Sequence, residues 1–244
     1  MKKHIAVTAG LLLVASCGHL TPAFAHDRGN DTYVAPDPAG VFSPVVDYRT
    51  GASAPVEGHF CTGFYIGEGR FVSAGHCLSA ATSEWRILVE NPNGGTHTLK
   101  PDFTLTSNMA TFNGQDFSVA FVDPKLTDDL TALSLKCDYA PKVGDAVAME
   151  GFPADLGREV TTGYIAAAKA TKVGGWSQPL FRTQLPSAGG FSGSPVRLGG
   201  IDGPVIGILV GSLPDDKVLS LVQPLAPLCK VLNIKGVDTA APAS

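Results

Sequence analysis

Residues 189–196 read GGFSGSPV, and two earlier segments, FVSAGHC at 71–77 and QDFSVAF at 115–121, complete the pattern that decides the fold. A histidine, an aspartate and a serine thus occur in this order, each in a short segment of small and apolar residues. A serine hydroxyl attacks an amide when a base removes its proton, and a histidine can act as that base when a carboxylate fixes its ring. The three segments therefore predict a nucleophilic site.

The candidate residues are His76 as the base, Asp116 as its orienting carboxylate and Ser192 as the nucleophile. A developing oxyanion also needs preorganised backbone N–H groups, and a glycine-rich turn allows such groups to converge on one point. The glycines around the serine therefore predict an oxyanion hole formed by the N–H groups of Gly190 and Ser192.

Other residues of the same types are weaker candidates. Asp102 also precedes a phenylalanine, but Pro101 before it and polar residues after it favour a loop or an edge strand. His59 and His97 lie in no recognised motif, so we interpret them as surface or strand histidines. Ser194 is interpreted as a structural hydroxyl.

The combination resembles the chymotrypsin-like (trypsin-fold) serine proteases over about residues 56–234. The segment SAGHC at 73–77 is similar to the family's histidine motif, and GFSGSPV at 190–196 resembles the serine motif of the bacterial glutamyl endopeptidase branch. The resemblance implies an all-β fold of two six-stranded antiparallel barrels with the triad between them. It also implies a serine endopeptidase that cleaves protein or peptide substrates through an acyl-enzyme.

Phe191 departs from the family pattern. Most animal members have an aspartate immediately before the nucleophile, where it pairs with a new amino terminus, and asparagine is common in the bacterial branch. The apolar residue removes that activation switch and motivates a second hypothesis, a catalytically impaired protease-fold binding protein. An α/β-hydrolase is a weaker third hypothesis, because the order His, Asp, Ser differs from that class.

The substrate pocket is inferred from the resemblance alone. It places Pro186 at the pocket floor and puts Leu209, Val210 and Ser212 in a wall. A proline offers no charge to a basic side chain, and Leu209 replaces the histidine with which glutamyl endopeptidases bind a carboxylate. We therefore expect an uncharged, aliphatic or aromatic side chain before the cleaved bond, unless a carboxylate from 215–216 enters the pocket.

The amino terminus predicts secretion. Residues 1–25 combine a short basic start, an apolar stretch at 5–16 and the sequence AFA at 23–25, as in a secretory signal peptide. The alternative is a membrane-anchored lipoprotein, because VASC at 14–17 resembles a lipobox ending at Cys17. A secreted or periplasmic location is the leading interpretation.

The other cysteines are even in number, which predicts two disulfides in an oxidising compartment. They are Cys61, Cys77, Cys137 and Cys229, which allow three pairings. The resemblance implies Cys61–Cys77 around the histidine and Cys137–Cys229 toward the C-terminus. No Cys-x-x-Cys occurs, so we predict no metal site and no cofactor.

Composition excludes several function classes. Charged residues make up 16% of the 244 residues, against about 25% in a usual globular chain. The net charge is −4 and no basic block occurs, so nucleic-acid binding is not expected. Beyond residue 25 no apolar run approaches the ~18 residues of a membrane-spanning helix. We expect a monomer without an integral membrane segment.

Short β-type runs separated by glycine- and proline-containing turns predict the all-β class. The runs are 60–66, 70–73, 85–89, 96–99, 117–122, 146–151, 160–168, 180–184, 195–198, 205–210 and 218–222. A helix is predicted over 225–234 and an interdomain connection over 124–143. The predicted domains are an extended arm at 26–55, a barrel with His76 and Asp116 at 56–130, a barrel with Ser192 at 131–235, and a flexible tail at 236–244.

Overall fold

The computed structural model describes residues 45–50, 61–79, 85–90, 96–107, 115–153, 157–169, 180–213 and 216–234. All of them belong to the unit Tyr33–Ser244. The predicted leader at 1–25, with Cys17, and the predicted tail at 236–244 lie outside the described residues, as does His59. The described strands form two antiparallel sheets, which correspond to the two halves of the sequence.

The first sheet has seven strands in the order β5-β4-β1-β2-β3-β7-β6. Its core is aromatic, since Phe64, Phe71 and Phe117 are fully buried. The strands are β1 (Val45–Thr50), β2 (Cys61–Tyr65), β3 (Arg70–Ser73), β4 (Trp85–Glu90), β5 (Thr96–Leu99), β6 (Phe103–Ser107) and β7 (Phe117–Phe121). We refer to it as the N-terminal sheet.

Two of these strands were not among the predicted runs. Residues 45–50 were assigned to an extended arm, but β1 lies inside the sheet between β2 and β4. Because prolines, glycines and aspartates surround this strand, the every-second-residue pattern of Val46, Tyr48 and Thr50 does not stand out in the sequence. The strand β6 is an edge strand, one of the two alternatives expected after Asp102.

The second sheet closes into a six-stranded barrel in the order β10-β13-β12-β11-β8-β9. We call it the C-terminal barrel. An apolar cluster containing Met149, Ile165, Phe181 and Ile206 fills it. Its strands are β8 (Ala146–Gly151), β9 (Glu159–Ala167), β10 (Phe181–Thr183), β11 (Pro195–Leu198), β12 (Val205–Leu213) and β13 (Asp216–Pro224).

One of the two predicted barrels is therefore present. In the N-terminal half the described strands form a linear order that ends at β5 and β6, without a β5–β6 pairing among the described residues. The seven described strands of this half are the five predicted runs together with β1 and β6. The mostly β architecture with one closed barrel is consistent with the chymotrypsin-like fold.

The connection between the halves contacts both. It begins with a 3₁₀ helix (Pro124–Thr127), whose first turn is capped by the Asp123 carboxylate, which accepts from the N–H of Lys125. Leu133 donates its N–H to the carbonyl of Tyr65 in the N-terminal sheet. Leu135 then pairs with Val205 of the C-terminal barrel. This segment therefore ties the sheet to the barrel, as an interdomain connection would.

Helices are short. The helix α1 (Gly75–Ser79) follows β3, and α2 (Ala226–Val231) follows β13. The second was expected to reach residue 234, but Asn233 adopts φ +53°, a left-handed conformation that commonly ends a helix. Within the described ranges, no helix is long and apolar enough to cross a membrane.

Both disulfides have the pairing that the resemblance implies. One joins Cys61 to Cys77, and the other joins Cys137 to Cys229. The first attaches α1 to β2 beside the predicted base. The second attaches the connection to α2.

Candidate active site

A buried carboxylate orients the histidine. Asp116 immediately precedes β7 and is 2% exposed, while the side chain of His76 on α1 is 44% exposed. The two oxygens of this carboxylate contact different nitrogen atoms of His76. Oδ2 lies 2.6 Å from Nδ1 of His76, and Oδ1 accepts the backbone N–H of the same residue at 2.6 Å. A neutral imidazole that donates from Nδ1 keeps the lone pair on Nε2, so the ring can accept a proton there.

The backbone of Asp116 is held from the C-terminal barrel. Gln223 on β13 is 1% exposed, and its Oε1 accepts the backbone N–H of Asp116 at 2.6 Å. This glutamine was not predicted, because one glutamine at the end of an apolar strand carries no motif. It links the half that provides the histidine to the half that provides the serine.

A tight turn sets the direction of one predicted oxyanion donor. The N–H of Phe191 donates to the carbonyl of Ala188 at 3.2 Å and closes a four-residue turn. Gly190, the third residue, has φ +98°, and a type II turn requires such a value at this position. The type I alternative needs a negative φ there and would turn the preceding peptide over. The glycine therefore fixes where its own N–H points.

Backbone hydrogen bonds leave two N–H groups of this loop for a ligand. The N–H of Phe191 closes the turn, and that of Gly193 donates to the carbonyl of Leu209 at 2.8 Å. Within the part of the chain that the structure describes, the N–H groups of Gly190 and Ser192 donate to no protein acceptor. Gly190 is buried and Ser192 is half-buried. N–H groups in such places are usually paired, so these two are available to an acceptor oxygen of a ligand.

We refer to residues 188–194, which contain the candidate nucleophile Ser192, as the nucleophile loop. It lies against the strand and helix that lead to His76. The Sγ of Cys77 is 3.8 Å from the carbonyl oxygen of Ser192, a contact without a proton because this sulfur is in a disulfide. A β-carbon at Gly193 would stand 2.1 Å from the carbonyl oxygen of Thr62 and 2.2 Å from Oγ of Ser73. Only glycine allows this close approach of the two halves.

Phe191 is anchored in the C-terminal barrel. Its side chain is 2% exposed and belongs to the apolar cluster with Met149, Val196 and Leu209. A β-carbon at Gly151 would stand 2.7 Å from the phenylalanine ring, so the ring is closely covered on that side. Phe191 is therefore held by apolar packing.

A family model of the trypsin-like peptidase domain matches residues 61–208. This chain belongs to the trypsin-like peptidase domain family. The match includes the segments 71–77, 115–121 and 189–196. No curated protein sequence matches the chain significantly.

Solved structures of proteases have a similar fold. A serine endoprotease from Yersinia pestis aligns with a TM-score of 0.60 and 21% identity, over 80% of this chain and 63% of that one. The protease domain of MamO from Magnetospirillum magneticum gives 0.63 and 18%, over 80% and 98%. The HtrA-type protease AlgW with a decapeptide gives 0.62 and 17%, over 80% and 65%. The chain thus spans less than two thirds of the Yersinia and AlgW chains.

Ser194 of this peptidase domain lies inside the protein. It is fully buried, and its Oγ has no hydrogen-bond partner among the described residues. Ser192, two residues earlier, is half-buried. The difference in exposure favours Ser192 over Ser194 as the residue that a substrate can reach.

The predicted pocket residues do not share one environment. Pro186 and Ser212 are exposed, whereas Leu209 and Val210 are 2% and 4% exposed. Leu209 also fixes the nucleophile loop, because its N–H donates to the carbonyl of Ser194 at 3.0 Å.

The two sequence neighbours of Pro186 contact a buried hydroxyl that the sequence did not predict. Ser220 Oγ donates to the carbonyl of Leu185 and lies 2.9 Å from Oγ of Ser187. Asp215 and the side chain of Asp216 lie outside the described residues, as does the side chain of His97.

One group of potential metal ligands is explained by other chemistry. Side-chain atoms of Cys61, His76 and Cys77 lie within 4.8 Å of one another. Both cysteines are in a disulfide, which leaves no thiolate to bind a metal. Asp102, the rival aspartate, is exposed.

Proposed function

We propose that this peptidase domain is an active serine endopeptidase that uses His76, Asp116 and Ser192 and forms an acyl-enzyme. The carrying observation is the two-point contact between His76 and the buried carboxylate of Asp116. That contact selects the tautomer that a general base needs. The unpaired N–H groups of Gly190 and Ser192 support the same proposal.

The chemistry follows from these groups. Nε2 of His76 removes the proton of Ser192 as Oγ attacks the substrate carbonyl carbon, and Asp116 stabilises the imidazolium that forms. The N–H groups of Gly190 and Ser192 donate to the resulting oxyanion. The imidazolium then protonates the leaving amine, and the C–N bond breaks. Water, activated by the same imidazole, hydrolyses the ester and releases the serine.

Location, maturation and architecture belong to the proposal. The two disulfides favour an oxidising compartment, which fits a secreted or periplasmic protein with a leader at 1–25. The domain division carries over with the N-terminal domain extended to include β1. A two-barrel arrangement and a monomer remain part of the proposal. Because Phe191 is anchored by apolar packing, we expect activity without an ion pair to a new amino terminus.

The proposed substrate is a peptide with an uncharged side chain before the cleaved bond. Pro186 and Leu209 provide neither the anion that a basic side chain needs nor the imidazole that a glutamate needs. A cleavage profile with a peptide library tests this. Predominant cleavage after Lys, Arg or Glu would contradict it, and basic specificity would direct attention to Asp215 and Asp216.

The decisive experiment is labelling of the full chain with a fluorophosphonate probe, together with peptidase assays. Ser192→Ala should abolish labelling and lower kcat by about 10⁶-fold, the loss expected when one member of such a catalytic unit is removed. Ser194→Ala is the matched control, and it should retain labelling because this hydroxyl is buried.

Two outcomes would reject the proposal. A wild-type chain that neither labels nor cleaves any peptide of the library would support the binding-protein alternative. Labelling that survives Ser192→Ala and disappears in Ser194→Ala would move the nucleophile to the other serine.

A further inference from the structure

Thr62 stands where the N-terminal sheet meets the nucleophile loop. It is the second residue of β2, it is fully buried, and it follows Cys61 of the disulfide beside His76. No motif includes it. Its importance comes from three hydrogen bonds, each to a residue of the other half.

The first bond uses the backbone, and the other two use the side chain. The N–H of Thr62 donates to the carbonyl of Ser192 at 2.8 Å. Its Oγ1 donates to the carbonyl of Gly190 at 2.8 Å and accepts the N–H of Phe152 at 2.9 Å. Any residue can make the backbone bond, but only a hydroxyl side chain of this length can make the other two.

These bonds fix the peptides that lie beside the oxyanion donors. The peptide joining Gly190 to Phe191 is held at both ends, by Thr62 Oγ1 at its carbonyl and by Ala188 at its N–H. The peptide joining Ser192 to Gly193 is held in the same way, by the N–H of Thr62 and the carbonyl of Leu209. The free N–H groups of Gly190 and Ser192 belong to the peptides directly before these two.

We propose that the hydroxyl of Thr62 is a positioning group. It holds the nucleophile loop in the conformation in which the N–H groups of Gly190 and Ser192 point toward the oxyanion. This inference rests on the proposed function. The hydroxyl does not touch substrate. It acts through the carbonyl of Gly190, and thereby on the direction of the N–H groups that stabilise the tetrahedral intermediate.

Two substitutions separate the hydroxyl from the volume of the side chain. Thr62→Val keeps the shape but leaves the carbonyl of Gly190 and the N–H of Phe152 without their partner. Thr62→Ser keeps the hydroxyl and removes a methyl group. Thr127→Val is the matched control, because this threonine is also buried and hydrogen-bonded, to Pro124 and Tyr65, but lies in the connection.

The experiment measures kcat and KM of the full chain on a library-derived peptide, thermal melting, and binding of a peptide boronic acid that forms a tetrahedral adduct. Displacing an oxyanion donor weakens the transition state more than the bound substrate. We therefore expect Thr62→Val to lower kcat about 10- to 100-fold with KM changed less than about threefold. Boronate affinity should fall in parallel with kcat/KM.

The conservative variant and the control decide the interpretation. Thr62→Ser should restore kcat to within about threefold of wild type, and Thr127→Val should lower the melting temperature without lowering kcat. The inference is overturned if Thr62→Val keeps kcat within twofold of wild type, or if Thr62→Ser fails to restore it. If wild type is inert, or Ser192→Ala is active, the proposed function fails instead.

Discussion

The two halves of this protein position their parts of the candidate site by different means. In the N-terminal sheet a charged side chain does this: the carboxylate of Asp116 accepts the backbone N–H of His76 and contacts its ring. The loop of Ser192 is held by backbone hydrogen bonds, by the buried ring of Phe191 and, from the N-terminal sheet, by the hydroxyl of Thr62. The candidate acid–base pair thus depends on a charge, and the loop of the candidate nucleophile depends on neutral hydrogen bonds and packing.

This difference predicts how each half responds to substitution. Removing a charge from the pair changes the chemistry of the imidazole but leaves the sheet intact. Removing apolar volume below the loop changes both the stability of the barrel and the direction of its N–H groups. Activity and stability should therefore separate in the first half and change together in the second.

Asp116→Asn should give the largest effect of these substitutions. An amide can hold the imidazole in the wrong tautomer, with the proton on Nε2, so kcat should fall by about 10⁴-fold. Melting temperature should change little, because the buried amide keeps the size of the carboxylate. Steady-state kinetics and thermal melting check both parts.

Asp102→Asn is the matched control for this prediction. Asp102 also precedes a phenylalanine and a strand, but it is exposed. Its substitution should leave kcat unchanged. If it lowered kcat as strongly as Asp116→Asn, the assignment of the orienting carboxylate would be wrong.

The two disulfides are expected to contribute different amounts to the free energy of unfolding. The first closes a separation of 16 residues and the second closes 92. In the chain-entropy account, loops of these sizes correspond to about 3 and about 5 kcal/mol of stabilisation. Urea unfolding of Cys61→Ala/Cys77→Ala and Cys137→Ala/Cys229→Ala should show the larger loss for the second pair. A larger loss for the first pair would mean that the loop-length account fails here.

Activity should follow the opposite order. The first disulfide lies beside His76 and contacts the Ser192 backbone through Cys77. The second joins the connection to α2. At temperatures where both variants are folded, only loss of the first should lower kcat.

Phe191→Ala tests the packing half directly. We expect a loss of about 3 kcal/mol in unfolding free energy, the low end for such truncations, because a loop at the barrel surface can partly collapse into the space. The free N–H groups of Gly190 and Ser192 lie on both sides of this residue, so kcat should also fall. Phe191→Leu should recover part of both losses. Loss of stability with unchanged kcat would show that the ring does not position the loop.

The sequence predicted those parts of the molecule whose signal is local. The strands β3, β8 and β11 match their predicted runs, because apolar residues between turn signals can be recognised within a few residues. The strand β1 was missed because it is stabilised by pairing with β2, the next strand, and with β4, which follows only after β3. A segment rich in turn residues gives no local sign of such partners.

The same distinction holds in the candidate site. His76 and Asp116 carry chemistry in their side chains, and the structure brings them together. Gln223 and Thr62 are ordinary strand residues. Each of them hydrogen-bonds a residue of the other half only because the folded strands place it there. The anchoring of Phe191 depends on a barrel that closes over long sequence distances. Such contacts have no motif, so they appear only in the folded chain.

The smallest effect is expected for a side-chain hydrogen bond of the C-terminal half that makes no contact with the candidate triad. Tyr139 packs against the barrel cluster and donates its hydroxyl to Oδ2 of Asp145 at 2.5 Å. Burial, and then this bond to the carboxylate, raise the pKa of Tyr139 to about 12. Tyr139→Phe should cost about 1 kcal/mol of unfolding free energy near neutral pH and leave kcat unchanged, since only stability is at stake.

The pH dependence of that loss follows from the direction of the shift. The folded chain holds the phenolic proton more tightly than the unfolded chain, whose tyrosine has a pKa of about 10. The stabilisation is therefore complete below about pH 10 and disappears as the pH rises through the folded value near 12. Lysines and arginines titrate equally in wild type and Tyr139→Phe, so the difference between their unfolding free energies isolates this tyrosine. That difference should shrink between pH 10 and 12, and a difference that stays constant to pH 12 would contradict the raised pKa.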